Sequence, residues 1–254
     1  MIRQFMLRFK STLRPHLKKW IQSKYFWLWY VRTLASLKKL LDFVSRIPYI
    51  NRQSLAFSTL LKNCHEVTYR GVVCRKFPTD YVALQMLLWE VKPDLVIEIG
   101  TNHGGSALLI SDTLRSIGSN YKIHTIDIEN FVTSNVILED QNIIRFLGGF
   151  ENYDLKSAEG YERVLVIDDG SHLFEDTLSS LLKFSSIVTK NSLFVVEDGG
   201  VNYVGWKKQY RGGPLRAISE FLEQNKDFEI DRKFENLFGQ RTSNNPNGYL
   251  RRVK

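Results

Sequence analysis

The sequence is poor in the residues that build disulfide frameworks, zinc clusters and iron sites. It holds two cysteines and five histidines among 254 residues. Cys64 and Cys74 match no zinc or redox spacing and read as buried, reduced thiols of a cytoplasmic protein. None of His16, His65, His103, His124 and His172 begins a His-x-Asp or His-x-Glu, which disfavours an Fe(II) facial triad. No apolar run suffices to span a bilayer: the aromatic stretch 25-YFWLWYV-31 is far too short, and no secretory signal is expected. Repeats and low-complexity tracts are also missing. What remains is an ordinary globular composition, 43% apolar and 24% charged. A chain of this length hides about 70–75% of its unfolded surface, enough for one large α/β domain and an appendage.

The formal charge of +8 suggests a nucleic-acid partner until it is divided along the chain. Residues 1–52 hold 12 Lys and Arg against one acid, Asp42, so the remainder is slightly acidic. The basicity belongs to an arm, and no nucleic acid is expected. Within the arm Phe5, Phe9, Leu13, Leu17, Trp20, Ile21, Leu28, Val31, Leu34, Leu37 and Leu41 recur mostly at three- and four-residue steps. That is the period of amphipathic helices, interrupted near Pro15. Two coverings for this stripe stay open. It packs on its own domain or a sister subunit, giving a homo-oligomer, or it lies peripherally on the anionic inner membrane surface. The expected organisation is a basic amphipathic helical arm over 1–52 and one domain over 53–254.

In that domain, 66-EVTYRGVVCRKFP-78 alternates around a turn at Gly71, and Thr79 or Asp80 caps a helix that Pro93 ends. Strands are expected at 94–99, 122–128, 163–168 and 192–197. Helices are expected at 105–116, 173–186 and 214–224, with a weaker one near 151–158. The tail, 228–238 with 249–253, reads as a closing antiparallel pair. Such alternation predicts a mostly parallel sheet with helices on both faces.

In an open parallel sheet, ligands bind beyond the carboxyl ends of the strands. Those ends here carry Glu98, Gly100, Asn102, Gly104 and Gly105, then Asp127, then Asp168, Asp169 and His172, then Glu197 and Asp198. A structural protein needs none of these there. The turn GTNHGGS lacks the GxGxxG spacing of dinucleotide enzymes and carries no phosphate-loop lysine. With Asp127 placed for ribose hydroxyls, it suits S-adenosylmethionine better than ATP. Asp169, Glu197 and Asp198 would repel one another unless a cation relieved them, and hard oxygen ligands suit Mg²⁺ or Ca²⁺. The alternative puts Glu197 and Asp198 in ion pairs and leaves His172 as a helix-start residue.

At these residues the chain resembles the cephalosporin hydroxylase family, whose members look like class I S-adenosylmethionine-dependent methyltransferases and include rhamnosyl O-methyltransferases. The matching stretches are 69-YRGVVCRKFPTDYVALQ-85, 96-VIEIGTNHGGSAL-108, 164-VLVIDDGSH-172, 195-VVEDG-199, 213-GPLRAISEFL-222 and 245-NPNGYLRRV-253. The resemblance implies a Rossmann-like fold with a seven-stranded sheet. It implies a donor site of Glu98, Gly100, Thr101, Asn102, Gly104, Ser106, Asp127 and Asp169. It further implies Mg²⁺ on Asp169, Glu197 and Asp198, with His172 as general base. A frequent family form has Asp where this chain has Ser171. The implied activity is methyl transfer to a hydroxyl of a sugar, glycan or glycosylated small molecule in polysaccharide or natural-product biosynthesis. A non-catalytic donor-binding scaffold or a membrane-recruited assembly protein is the alternative. The segment 199-GGVNYVGWKKQYRGG-213 reads as a mobile lid whose aromatics stack on a sugar, or as an ordered surface loop.

Overall fold

The computed structural model describes residues 59–61 and 63–254, so the arm expected over 1–52 lies outside the described residues. A hairpin opens the sheet structure, with β1 (Thr68–Tyr69) and β2 (Val72–Val73) antiparallel around Arg70 and Gly71. Both turn residues have positive φ, 50° and 81°, as a two-residue hairpin turn requires. Alternation continues past the hairpin: Val72, Cys74 and Lys76 are buried, whereas Arg75 is exposed.

Helix α1 (Pro78–Val91) follows, with Phe77 at its N-cap and Pro78 in the first helical position. Thr79 and Asp80 are therefore not the caps the sequence predicted. Thr79 Oγ1 donates to the Thr242 carbonyl at 2.5 Å, and buried Asp80 accepts from the Asn244 amide at 2.8 Å. Contacts with the distant tail claim both side chains.

The remaining elements are β3 (Leu95–Ile99), α2 (Gly105–Ile117), β4 (Lys122–Asp127), α3 (Asn135–Leu138), β5 (Ile143–Leu147), β6 (Val164–Asp168), α4 (Phe174–Phe184), β7 (Leu193–Val196), α5 (Gly213–Gln224), β8 (Phe228–Ile230), α6 (Arg232–Glu235) and β9 (Tyr249–Arg252). Seven strands form one sheet in the order β5-β4-β3-β6-β7-β9-β8. All neighbours through β7 are parallel, and β9 runs antiparallel to both β7 and β8. The architecture matches the expectation, with three local differences. Strand β5 was not anticipated. The weak helix near 151–158 is two 3-10 turns, Phe150–Asn152 and Leu155–Ala158. The strand expected over 228–238 ends at Ile230, where the Asp231 side chain accepts from the Lys233 amide at 2.8 Å and starts α6.

Strand alternation divides the core between the two faces. Leu95, Ile97 and Ile99 pack with Leu181, Phe184, Ile218 and Phe221 under α4 and α5. Val96 packs with Leu84, Leu87, Leu88 and Leu108 of α1 and α2, and Glu98 shares that side. Each such fully buried side chain stabilises the fold by about 1.5–3 kcal/mol relative to exposure. Both cysteines are buried and free. Among the described residues, no helix is long and apolar enough to cross a membrane.

Candidate active site

From β3 the chain winds outward to β4 and β5, and then returns to the opposite side of β3 as β6. That reversal opens a crevice at the carboxyl ends of the strands. The crevice is a cavity of about 430 Å³, within the range of small-ligand sites. Ile99, Ile126, Ile128, Phe131 and Phe150 supply an apolar wall. Asp127, Glu129, Glu151, Asp168, Asp169 and Asp176 supply carboxylates, and among the described residues no lysine or arginine lines it.

Gly100 lets the strand ends meet. Its φ is +98°, and a Cβ there would lie 2.1 Å from the Asp169 carbonyl oxygen. The Asp169 amide donates to the Ile99 carbonyl, and the Gly100 amide to the Ile126 carbonyl, each at 2.8 Å. Asn102 takes a left-handed conformation, φ 48°, and its amide donates to Asp127 Oδ2 at 2.8 Å. The other oxygen of Asp127 accepts from the Ile128 amide at 2.7 Å.

Of the eight donor-site residues expected from the sequence, Gly100, Asn102, Asp127 and Asp169 line the cavity. Glu98, Thr101, Gly104 and Ser106 do not. Gly104 is the N-cap of α2. Thr101 Oγ1 and Thr125 Oγ1 are 2.7 Å apart, and Thr125 donates to Glu98 Oε2 at 2.7 Å. This chain ties the turn to the strands beneath it. Burial raises the Glu98 carboxyl above its ordinary range, opposed by the Thr125 and Ser106 hydroxyls. Sequence reasoning missed Phe131, which enters from a loop, and Phe150 and Glu151, which enter from the 3-10 turn Phe150–Asn152; neither segment has a periodic pattern. Asp168 is held by the Ser180 hydroxyl and, at 3.2 Å, the Gly170 amide. Burial pushes its carboxyl up to about 6.

Beside the cavity, Asp169, His172 and Asp198 present ligand atoms that all lie within 4.8 Å of one another. His172 Nε2 is 3.3 Å from Asp198 Oδ2. His172 and Asp198 both have left-handed backbones, φ 59° and 58°. Glu197, expected beside Asp198 as a ligand, is outside this group. Its two oxygens accept from Lys76 Nζ at 2.5 and 2.6 Å, and Lys76 Nζ also sits 3.6 Å from Asp169 Oδ2. Burial pushes Asp169 up to about 7 and Glu197 up to about 8, against the pull of Lys76. Burial opposes the charge on Lys76, but Glu197 and Asp169 hold its pKa well above the ordinary lysine value.

Lys76 had a legible signal: the alternation of Val72, Cys74 and Lys76 turns it inward, and an inward lysine needs an acid. A second unforeseen contribution comes from the tail. Asn245 Oδ1 accepts from the Asp198 amide at 3.0 Å, and the Asn244 side chain donates to Asp198 Oδ1. The Gly200 amide donates to the Asn244 carbonyl at 2.8 Å. Segment 199–213 folds as a 3-10 turn, Gly199–Asn202, followed by further turns. Asn202 Nδ2 fastens it to the Gly212 carbonyl at 2.8 Å. Tyr203 and Trp206 are exposed, and the Tyr210 ring centroid is 6.2 Å from that of His172.

A mostly parallel seven-stranded sheet with an antiparallel closing strand, and a polar crevice at its switch point, defines the architecture of class I methyltransferases. Residues 62–253 match the family described as Rhamnosyl O-methyltransferase/CmcI, and the chain belongs to that family. It is 28% identical over 194 residues to a rhamnosyl O-methyltransferase of Mycobacterium bovis (strain BCG / Pasteur 1173P2), covering 73% of this chain and 78% of that protein. A rhamnosyl O-methyltransferase of Mycobacterium leprae (strain TN) is 27% identical over 180 residues, 68% of this chain and 78% of its own. CmcI solved with Mg and SAM superposes with a TM-score of 0.58 at 22% identity, over 75% of this chain and 78% of that one. CmcI solved with SAH gives 0.60 at 22% identity, over 76% and 85%. At these identities the solved structures establish the fold.

Proposed function

We propose that the chain is an S-adenosylmethionine-dependent, Mg²⁺-assisted O-methyltransferase acting on a hydroxyl of a sugar or a glycosylated acceptor. One observation carries this reading: a cavity that, among the described residues, has six carboxylates and no basic residue shares Asp169 with the acid–histidine group. Such a wall repels phosphates and suits a cationic sulfonium nucleoside. The apolar wall of Ile128 and Phe131 suits an adenine ring, and Asp127 suits ribose hydroxyls. The sugar acceptor follows the rhamnosyl O-methyltransferases to which the chain is related.

When bound, the donor supplies an electrophilic methyl group, and Mg²⁺ lowers the pKa of a chelated hydroxyl. Asp169 and Asp198 would hold the metal directly, with Glu197 able to offer an oxygen only by sharing it with Lys76. His172 Nε2 faces Asp198 Oδ2 at 3.3 Å, so Nδ1 would be the nitrogen that takes the proton of the acceptor hydroxyl. Asp198 then stabilises the imidazolium. Tyr203 and Trp206, exposed on the loop over 199–213, present aromatic faces for a sugar ring.

Calorimetry with S-adenosylhomocysteine and a methyl-transfer assay with and without excess EDTA test the proposal. Donor-product binding with EDTA-sensitive transfer is the expected result. No binding by the wild-type protein overturns the methyltransferase reading, and full transfer in EDTA overturns the metal's part in it.

A further inference from the structure

Lys76 is a fully buried cation that the proposed chemistry does not use. Its side chain is 1% exposed, and its ammonium binds both oxygens of Glu197 while lying 3.6 Å from Asp169. Its position follows from local structure. Burial alternates through Val72 of β2, Cys74 and Lys76 in the segment that follows, and α1 begins two residues beyond, at Pro78. The ammonium is thereby delivered under the strand ends from the opposite edge of the domain's sequence, 121 residues before Glu197.

The ammonium lies against two carboxylates at the strand ends: Asp169, a member of the group with His172 and Asp198, and Glu197, the residue before Asp198. We infer that Lys76 is the built-in counter-cation of the metal site, which sets the charge that an incoming divalent cation meets. With Asp169, Glu197 and Asp198 all ionised, the three carboxylates and one ammonium leave a net charge of −2, which one divalent cation neutralises. The lysine also occupies both oxygens of Glu197, so a metal would compete with it for that carboxylate. This rests on the metal reading proposed above. It assigns Lys76 an effect on affinity, exerted through Asp169 and Glu197.

The test is a charge cycle read by calorimetric Mg²⁺ titration at pH 8.5 and by thermal melting, with no turnover required. Lys76→Met raises the cluster to −3 and should tighten Mg²⁺ at least about tenfold, because a unit positive charge is removed within a few ångströms of the ion. Its metal-free form should melt earlier, with Mg²⁺ recovering most of the loss. Glu197→Gln lowers the cluster to −1 and should weaken Mg²⁺ by a similar factor. Lys76→Met combined with Glu197→Gln restores −2 without leaving an unpaired buried charge, and it keeps the test open if Lys76→Met alone does not fold. This double variant should bind Mg²⁺ within about threefold of wild type. Unchanged or weaker Mg²⁺ binding by Lys76→Met, or a double variant as weak as Glu197→Gln, overturns the inference while leaving the metal reading intact. A wild-type protein that binds no Mg²⁺ overturns both.

Discussion

Replacing Asp127 with alanine is the most direct probe of the proposed donor site. Its oxygens accept amide hydrogens from Asn102 at 2.8 Å and from Ile128 at 2.7 Å, and the residue lines the cavity. Oδ1 also accepts from the Glu129 amide at 3.3 Å, so Oδ2 is the oxygen that keeps a further lone pair for a ligand hydroxyl. One hydrogen bond to a charged acceptor contributes about 1.5–3 kcal/mol. Alanine also frees Asn102, whose left-handed turn is fastened by that carboxylate. S-adenosylhomocysteine should therefore bind between about tenfold and a hundredfold more weakly, roughly 1.4–2.8 kcal/mol. Asp127→Asn, which keeps one acceptor oxygen but loses the charge, should fall between alanine and wild type. Isothermal calorimetry with matched melting curves separates lost contacts from a lost fold. An alanine variant that binds as tightly as wild type would refute the placement of the donor against β4.

Three further outcomes follow from other parts of the molecule. Burial, aided by Lys122, pushes the His124 imidazole down to about 4, and its Nδ1 lies 2.7 Å from the Tyr153 hydroxyl. Below its ordinary value near 6.5 the unfolded chain takes up a proton that the folded chain refuses. The stability contributed by neutral His124 is thus full above pH 6.5 and shrinks as pH falls toward 4, by about 3 kcal/mol in all. Melting curves of His124→Phe from pH 7 to pH 4.5 should fall less steeply than wild type, and parallel curves count against the shift. Asn245→Ala should reduce Mg²⁺ affinity and turnover while leaving S-adenosylhomocysteine affinity within about twofold, since Asn245 fixes Asp198 and touches no part of the donor cavity; equal losses of both would make it a general folding residue. Deleting 1–52, the net-basic arm with its tryptophans, should lower the oligomeric state measured by light scattering. Identical assembly with and without the arm would direct attention to anionic vesicles instead.

The legibility of this chain follows from the range over which each signal acts. Strands β3, β4, β6 and β7 declare themselves because their residues are buried nearly throughout, with burial a property of the segment itself. Strand β5 lies at the sheet edge and buries only Ile143 fully, so 143-IIRFL-147 has neither alternation nor a continuous apolar run bounded by turn residues. The acids at the strand ends were visible because strand polarity alone brings them to one edge. Their pairings were not. Lys76 reaches Glu197 across 121 residues, and Asn245 reaches Asp198 across 47, and no local pattern encodes either pairing. Thr79 and Asp80 show the same effect reversed: locally they read as caps, and the tail outbids the helix for their oxygens.

Asp198 puts the relation between strain and chemistry to a quantitative test. It is a non-glycine residue at φ 58°, ψ 22°, two residues past the end of β7, the last parallel strand. The left-handed conformation costs a residue with a Cβ about 1–2 kcal/mol. Hydrogen bonds from the Asp198 amide to Asn245 and from the Asn244 side chain to its carboxylate hold it there. Asp198→Ala and Asp198→Gly both delete the carboxylate and both keep the amide bond to Asn245. They differ in that alanine retains the strained Cβ. Glycine relieves that strain but gains about 0.5–1 kcal/mol of unfolded-chain freedom, so the glycine variant should be the more stable by about 0.5–1 kcal/mol. In a chain of this size that is about 1–3 °C in melting temperature. Both variants should lose Mg²⁺-dependent methyl transfer. An alanine variant at least as stable as the glycine variant would show that the backbone carries no such strain. The predicted order, with both variants inactive, would mean that the carboxylate is retained at a position where the fold alone favours glycine.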